Sequence, residues 1–196
     1  METEQVKDKG KTGKTIKFIL ISGQTNVGKS NVCEKLHDLI YNDPNYTTID
    51  KQNKRNRNPK NVVDFIAHYK NKNNNHYVVL NSASDNDNCM KALAEYLDDL
   101  AAAPETKDML PDVIVTTIRE TGAPLCRMLA LLEAIANGTT NLAAHYTQNI
   151  ANATPTTLIR NVSLLHLTRQ TASGNALAQY WRDNANDAKR ELDRIV

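Results

Sequence analysis

The sequence predicts an α/β fold, a three-layer sandwich in which helices cover both faces of a mostly parallel central sheet. Two observations predict it. Short apolar, β-branched runs alternate with amphipathic segments along the chain, and most of these runs are almost continuously apolar. A chain of 196 residues can bury one core. We therefore expect a flexible polar tail over residues 1–15 and one domain over residues 16–196.

The first half of the chain predicts strand, loop and helix in turn. Residues 17–22 (KFILIS) predict a buried strand, which the loop 23–30 follows. The helix after this loop has one apolar face, formed by Val32, Cys33, Leu36, Leu39 and Ile40. Residues 46–50 predict a second strand and residues 51–58 a basic loop. Asn58 and Pro59 then predict the start of another helix, with apolar positions Val62, Val63, Phe65, Ile66 and Tyr69.

The second half continues the alternation. We expect strands at residues 76–80, 112–118 and 162–167, and helices at residues 90–100, 124–136 and 176–195. Residues 71–75 predict a turn. The stretch 137–159 contains no Lys, Arg, Asp or Glu, and one short helix is expected near residues 142–150. We expect this stretch to pack against protein, either the chain's own core or a second subunit.

Residues 23–30 (GQTNVGKS) match the phosphate-binding sequence G-x-x-x-x-G-K-[ST], in its required place between a strand and a helix. Backbone amides of such a loop surround a phosphate, and the helix dipole adds partial positive charge. Lys29 would reach the β- and γ-phosphates, and Ser30 would ligate Mg²⁺. The predicted nucleotide-binding residues are Gly23, Gln24, Thr25, Asn26, Val27, Gly28, Lys29, Ser30, Asn31 and, after the last strand, Arg169.

A second metal ligand is expected at the end of a neighbouring strand. Asp50 ends the second predicted strand and Asp85 follows the third, which itself ends in Asn81 and Ser82. We assign Asp50 together with Lys29 to catalysis, and Ser30, Asp50 and Asp85 to the metal. The alternatives are a solvated turn residue for Asp50 and a helix N-cap for Asp85.

Basic side chains lie at the same predicted edge. Arg119 and Arg169 follow the fourth and fifth strands, where each would contact phosphate or base, or else pair with a carboxylate. The basic loop 51–60 carries Lys51, Lys54, Arg55, Arg57 and Lys60. It is either a solvated face or a site for a phosphorylated substrate or nucleic acid.

The loop and the alternating pattern resemble the P-loop NTPase superfamily over essentially the whole chain. Residues 112–117, followed by 125–135, resemble the fourth strand and helix of the ParA/MinD-type partition ATPases, and Asp50 resembles that family's second-strand aspartate. The resemblance implies a Mg²⁺-dependent ATPase that acts as a dimerisation switch, hence a homodimer, with Asp50 positioning metal or water. The alternatives are a small-molecule or nucleotide kinase of the same fold, and a nucleotide-binding module without turnover.

Other classes of protein are disfavoured. No N-K-x-D sequence follows the fifth strand, so adenine nucleotides are expected rather than guanine nucleotides. No apolar run is long enough to cross a membrane, and the polar first sixteen residues lack the apolar core of a secretory signal. Cys33, Cys89 and Cys126 form no C-x-x-C pair, which favours reduced thiols. We therefore expect a cytoplasmic protein without a membrane partner.

Overall fold

A computed structural model describes residues 15–55, 64–83, 86–151 and 161–196. Within these residues one sheet contains β1 (Lys17–Ser22), β2 (Tyr46–Arg55), β3 (Asp64–Asn71), β4 (Tyr77–Asn81), β5 (Val113–Ile118) and β6 (Val162–His166). Their order is β2-β3-β4-β5-β1-β6. β1 is parallel to β5 and β6, and β4 is parallel to β5. β3 is antiparallel to both of its neighbours, so the sheet is mixed but mostly parallel.

Helices cover both faces of this sheet, an arrangement compatible with the predicted three-layer sandwich. They are α1 (Lys29–Tyr41), α2 (Asp87–Ala102), α3 (Gly122–Ala136), α4 (Leu142–His145) and α5 (Gly174–Ile195), with a 3₁₀ turn at Lys107–Met109 and a π-helical turn at Tyr146–Ile150. Along β1, Ile19 and Ile21 pack with α1 and α5, whereas Phe18 and Leu20 pack with α2, α3 and α4. Burial on both faces explains why β1 is continuously apolar.

Antiparallel pairing of β2 with β3 corrects the predictions for residues 51–55 and 64–69, whereas residues 56–63 lie outside the described part of the chain. Lys51–Arg55 continue β2 instead of forming a loop, and Asp64–Asn71 form β3 instead of a helix. In β3, Phe65 and Ala67 pack on the α1 side of the sheet and Ile66 on the other. A strand buried on both faces is continuously apolar, and over so short a run this pattern is also compatible with a helix. β2 is an edge strand, where charged residues are tolerated.

The described part of the uncharged stretch, residues 137–151, packs against the chain's own core, the first of the two predicted alternatives. Leu142, Tyr146 and Ile150 are buried against α2 and α3. The carboxylate of Asp98 accepts hydrogen bonds from the amides of Leu142 (2.7 Å) and Ala143 (2.9 Å), which fixes the start of α4. Residues 152–160 lie outside the described part of the chain.

Ionic and aromatic contacts attach α5 beside α1. Lys189 Nζ lies 2.7 Å from carboxylate oxygens of both Asp43, just after α1, and Asp193. The Tyr46 hydroxyl donates to Asp193 at 3.0 Å, and Lys189 lies over the Tyr46 ring. These contacts hold the second half of α5 and thereby position its first half near the loop after β1.

The described residues contain no helix that combines the length and the apolar character needed to cross a bilayer. Of the tail predicted for residues 1–15, only Thr15 lies within the described part of the chain.

Candidate functional site

The loop 23–28 connects β1 to α1 at the edge of the sheet where β1, β4, β5 and β6 all end. Two of its residues adopt left-handed backbone conformations, Asn26 with φ of 62° and Gly28 with φ of 92°. Left-handed residues next to right-handed ones turn successive amides toward one concave side of the chain. Asparagine and glycine are the residues that tolerate this conformation best. Two left-handed positions in one short loop are therefore compatible with an anion-binding cradle.

The N-terminus of α1 faces the same cradle. Its first intrahelical hydrogen bond runs from the Val32 amide to the Gly28 carbonyl at 2.9 Å, so the amides of Ser30 and Asn31 have no acceptor within the helix. Gly28 is the N-cap, and no acidic residue lies in the first turn of α1. Amide donors and the helix dipole thus both favour an anion here.

Lys29 folds back over the loop. Its Nζ donates hydrogen bonds to the carbonyls of Gly23 (2.9 Å) and Gln24 (2.8 Å), and its side chain is buried. This places a buried ammonium group over the cradle. One turn later, burial raises the pKa of the Cys33 thiol, and the charge of Lys29 opposes that shift only partly. Cys33 is therefore a neutral core residue at physiological pH.

The Ser30 hydroxyl faces the end of β4. It donates to the Ser82 carbonyl at 3.3 Å, and the Thr117 hydroxyl, near the end of β5, donates to the same oxygen at 3.3 Å. Asn81 donates to the Ala83 carbonyl and to the hydroxyl of Thr116. The position that the sequence assigned to a metal is thus bordered by hydroxyl and carbonyl oxygens, which are ligands that Mg²⁺ accepts.

Both glycines of the loop are tightly packed. A Cβ on Gly23 would lie 2.5 Å from Val27 Cγ2 and 3.1 Å from the Leu167 carbonyl oxygen. A Cβ on Gly28 would lie 2.2 Å from Trp181 Nε1. The indole of Trp181, from α5, therefore packs directly on the junction of loop and helix. Its Nε1 is buried and has no hydrogen-bond partner within the described part of the chain.

Arg119 contacts the loop from the other direction. Its guanidinium donates to the hydroxyl of Thr25, 94 positions earlier in the chain. The next residue, Glu120, pairs with His166 across the end of β1, with 3.1 Å between Oε1 and Nδ1. The sequence left open whether Arg119 meets phosphate or a carboxylate; the contact described here is with a hydroxyl of the loop 23–30.

Asp50, predicted to serve catalysis and the metal, does not reach this site. It lies in the edge strand β2, opposite His68 of β3 in the strand register. Four strand-to-strand steps separate β2 from β1 in the sheet order, about 19 Å at the usual spacing. Asp50 instead lies near Tyr96 of α2, whose pKa is raised by burial and by this carboxylate. The prediction is corrected because the β2–β3 hairpin carries Asp50 to the far edge of the sheet.

The other two predicted site residues have different outcomes. Asp85 lies outside the described residues. Arg169 is exposed in the loop between β6 and α5, at the same edge as the cradle. That loop is held by the Tyr180 hydroxyl, which accepts from the Thr168 amide at 3.0 Å and donates to the Thr168 carbonyl at 3.2 Å. The structure thus brings residues 23–31 together and places Arg169 on their rim.

Two residues at the site were not predicted to belong to it. Thr117 was treated as part of a strand, although two threonines at the end of an apolar parallel strand are a recognisable sequence feature. Trp181 lies in the predicted helix 176–195, and helical periodicity alone does not show that its indole extends past the sheet edge to the loop.

Comparison of the chain with protein-family models gave no match, and comparisons with curated proteins and with solved structures gave none either.

Proposed function

We propose that the chain binds a Mg²⁺–nucleoside triphosphate, ATP by expectation, in the cradle formed by residues 23–31, as a member of the P-loop NTPase superfamily. The observation that carries the proposal is the position of Lys29. The Lys29 ammonium group is buried against the loop, and its hydrogen bonds to the carbonyls of Gly23 and Gln24 fix it there. Lysine and helix N-terminus together offset the negative charge of the β- and γ-phosphates.

Mg²⁺ would be ligated by the Ser30 hydroxyl. The residues fit this ion because oxygen atoms of Ser30, Ser82 and Thr117 converge there. When bound, Mg²⁺ neutralises developing charge on the phosphates. In the described residues no cluster of three His, Cys, Asp or Glu side chains is arranged to hold a metal. Besides Ser30, such an ion would take phosphate oxygens and water as ligands.

ATP hydrolysis in a partition-type switch is supported better than phosphate transfer by a kinase. A kinase lid would have to move over the triphosphate and carry cations. The natural segment for such a lid is the uncharged stretch 137–159, which contains no Lys or Arg, and its residues Leu142, Tyr146 and Ile150 are buried in the core. The proposed roles of Asp50 in both activities do not fit its position in β2. Nucleotide binding without turnover is the second candidate, because a neutral carbonyl of Ser82 faces Ser30 at the end of β4.

Calorimetric titration with Mg²⁺–ATP tests the binding site. Lys29→Ala should abolish binding, since it removes the buried cation. Lys35→Ala is the matched control, because Lys35 lies on the same helix and pairs only with nearby Asp38 among the ion pairs described. Wild type and Lys35→Ala should gain about 2.7 kcal/mol of stability at a hundredfold excess over Kd. Unchanged affinity in Lys29→Ala would refute the assignment.

Assays of phosphate release and of transfer to nucleotide or sugar acceptors separate the activities. Phosphate release without an acceptor supports hydrolysis, and transfer to an acceptor supports the kinase. Absence of both activities in a protein that binds the nucleotide supports the binding module.

A further inference from the structure

We propose that Arg119 is a phosphate-contacting residue that binds the terminal phosphate, so that the chain distinguishes a nucleoside triphosphate from a diphosphate without an arginine from a partner. This inference rests on the function proposed above and concerns the selectivity of the same site. It begins from the contact between the Arg119 guanidinium and the Thr25 hydroxyl.

The sheet directs Arg119 to the phosphate side. β5 is the direct neighbour of β1, and Ile118 pairs with Ser22, the last residue before the loop. Side chains alternate between faces along an extended chain. Ile118 packs on the α2 and α3 side, so Thr117 and Arg119 point to the side of α1. Thr117 meets the Ser82 oxygen that Ser30 also contacts, and Arg119 meets the loop itself.

The position of Lys29 shows which phosphate is nearest. Lysine in this motif contacts the β- and γ-phosphates, and Nζ lies here beside the carbonyls of Gly23 and Gln24. Thr25 is the next residue along the loop. We therefore assign the Arg119 guanidinium, which contacts Thr25, to the outer end of the cradle, where the γ-phosphate would lie. Ser30 and the helix N-terminus lie at the other end.

The contact with the Thr25 hydroxyl directs the Arg119 guanidinium at the loop. Glu120, the adjacent acid, is engaged with His166. Because Ile118 faces away from α1, Glu120 also points to the face opposite Arg119. Arginine forms bidentate, charge-assisted hydrogen bonds with phosphate, which are stronger than a bond to a neutral hydroxyl. A γ-phosphate would therefore replace Thr25 as the partner of Arg119.

The test compares the affinities of each variant for ADP and for a slowly hydrolysed ATP analogue, both with Mg²⁺. Arg119→Ala should weaken analogue binding tenfold or more and change ADP binding less than twofold. Arg119→Lys should recover only part of this loss, because lysine lacks the planar fork. Thr25→Val should keep the wild-type preference for the analogue. Arg190→Ala is the control, an arginine on α5 whose side chain is 78% exposed and paired with Asp187.

Equal weakening of both nucleotides in Arg119→Ala, or no weakening of either, would overturn the inference. Unchanged circular dichroism and melting temperature confirm that the variant is folded. If Arg119→Ala were unfolded, a reduced preference of Arg119→Lys for the analogue over ADP would support the inference, and an unchanged preference would overturn it. Two other results would refute the proposed nucleotide site itself: wild type that binds neither nucleotide, or Lys29→Ala that binds both.

Discussion

Replacement of Gly28 by alanine tests how the loop is held. A left-handed conformation costs an L-residue about 1–2 kcal/mol. The new Cβ would also lie 2.2 Å from Trp181 Nε1 and 2.9 Å from Cε2, and overpacking of this kind costs about 1–3 kcal/mol. Alanine restricts the unfolded chain, which returns about 0.4–1 kcal/mol. We expect Gly28→Ala to lower the free energy of unfolding by about 2–4 kcal/mol.

Urea denaturation followed by far-ultraviolet circular dichroism measures this loss without relying on tryptophan fluorescence. A double-mutant cycle with Trp181→Leu separates the two contributions. Without the indole, the cost of Gly28→Ala should fall to about 1 kcal/mol, the backbone contribution alone. Gly174→Ala is a matched control. The φ of Gly174, +59°, is also left-handed, but a Cβ there would meet no heavy atom within 4 Å. It should also cost about 1 kcal/mol.

Two results would refute this reasoning. If Gly28→Ala costs the same with and without Trp181, the indole does not restrict the loop. If Gly174→Ala costs as much as Gly28→Ala, backbone conformation alone accounts for the effect.

The remaining predictions concern Asp50 and Glu191. Asp50→Asn should leave nucleotide affinity and phosphate release within twofold of wild type in the assays above, since Asp50 lies on the far edge strand; a tenfold fall in either would contradict its placement. Hydrogen bonds from Arg194 and Ser163 lower the pKa of Glu191 to about 2, so their stabilisation is present above about pH 4.5 and is lost as pH falls toward 2. Glu191→Gln should cost about 1 kcal/mol at pH 6, and this difference should vanish near pH 2 in urea denaturation; a constant difference would contradict the assignment.

The part of the site that could be predicted from sequence is local. β1, the loop and α1 are consecutive, and each has its own pattern: a continuously apolar run, a glycine motif and an amphipathic helix. Their conformations depend mainly on neighbouring residues. This explains why the predicted strand 17–22 and the one-sided face of the following helix agree with the structure.

The part that could not be predicted depends on which strands become neighbours. Residues 64–71 are apolar enough for a helix or a strand, and pairing with β4 decides between them. Once β3 is antiparallel, β2 becomes the edge and Asp50 moves away from the loop. Predicting residues 64–69 as a helix thus placed Asp50 beside the loop. The additional strand β3 instead puts it four strands away from β1.

Three separate segments determine the conformation of the loop. Leu167 after β6 packs on Gly23, Trp181 of α5 packs on Gly28, and Arg119 after β5 contacts Thr25. None of these residues belongs to the motif, and all three reach it only when the sheet is assembled. A motif match alone therefore does not ensure a preorganised cradle. In this chain preorganisation depends on the order β5-β1-β6, which places two neighbouring strand ends on either side of the loop, and on α5, which the Lys189 contacts hold against α1. The entropy of ordering the loop is lost when the chain folds, so a phosphate ligand, if bound as proposed, would not have to order it.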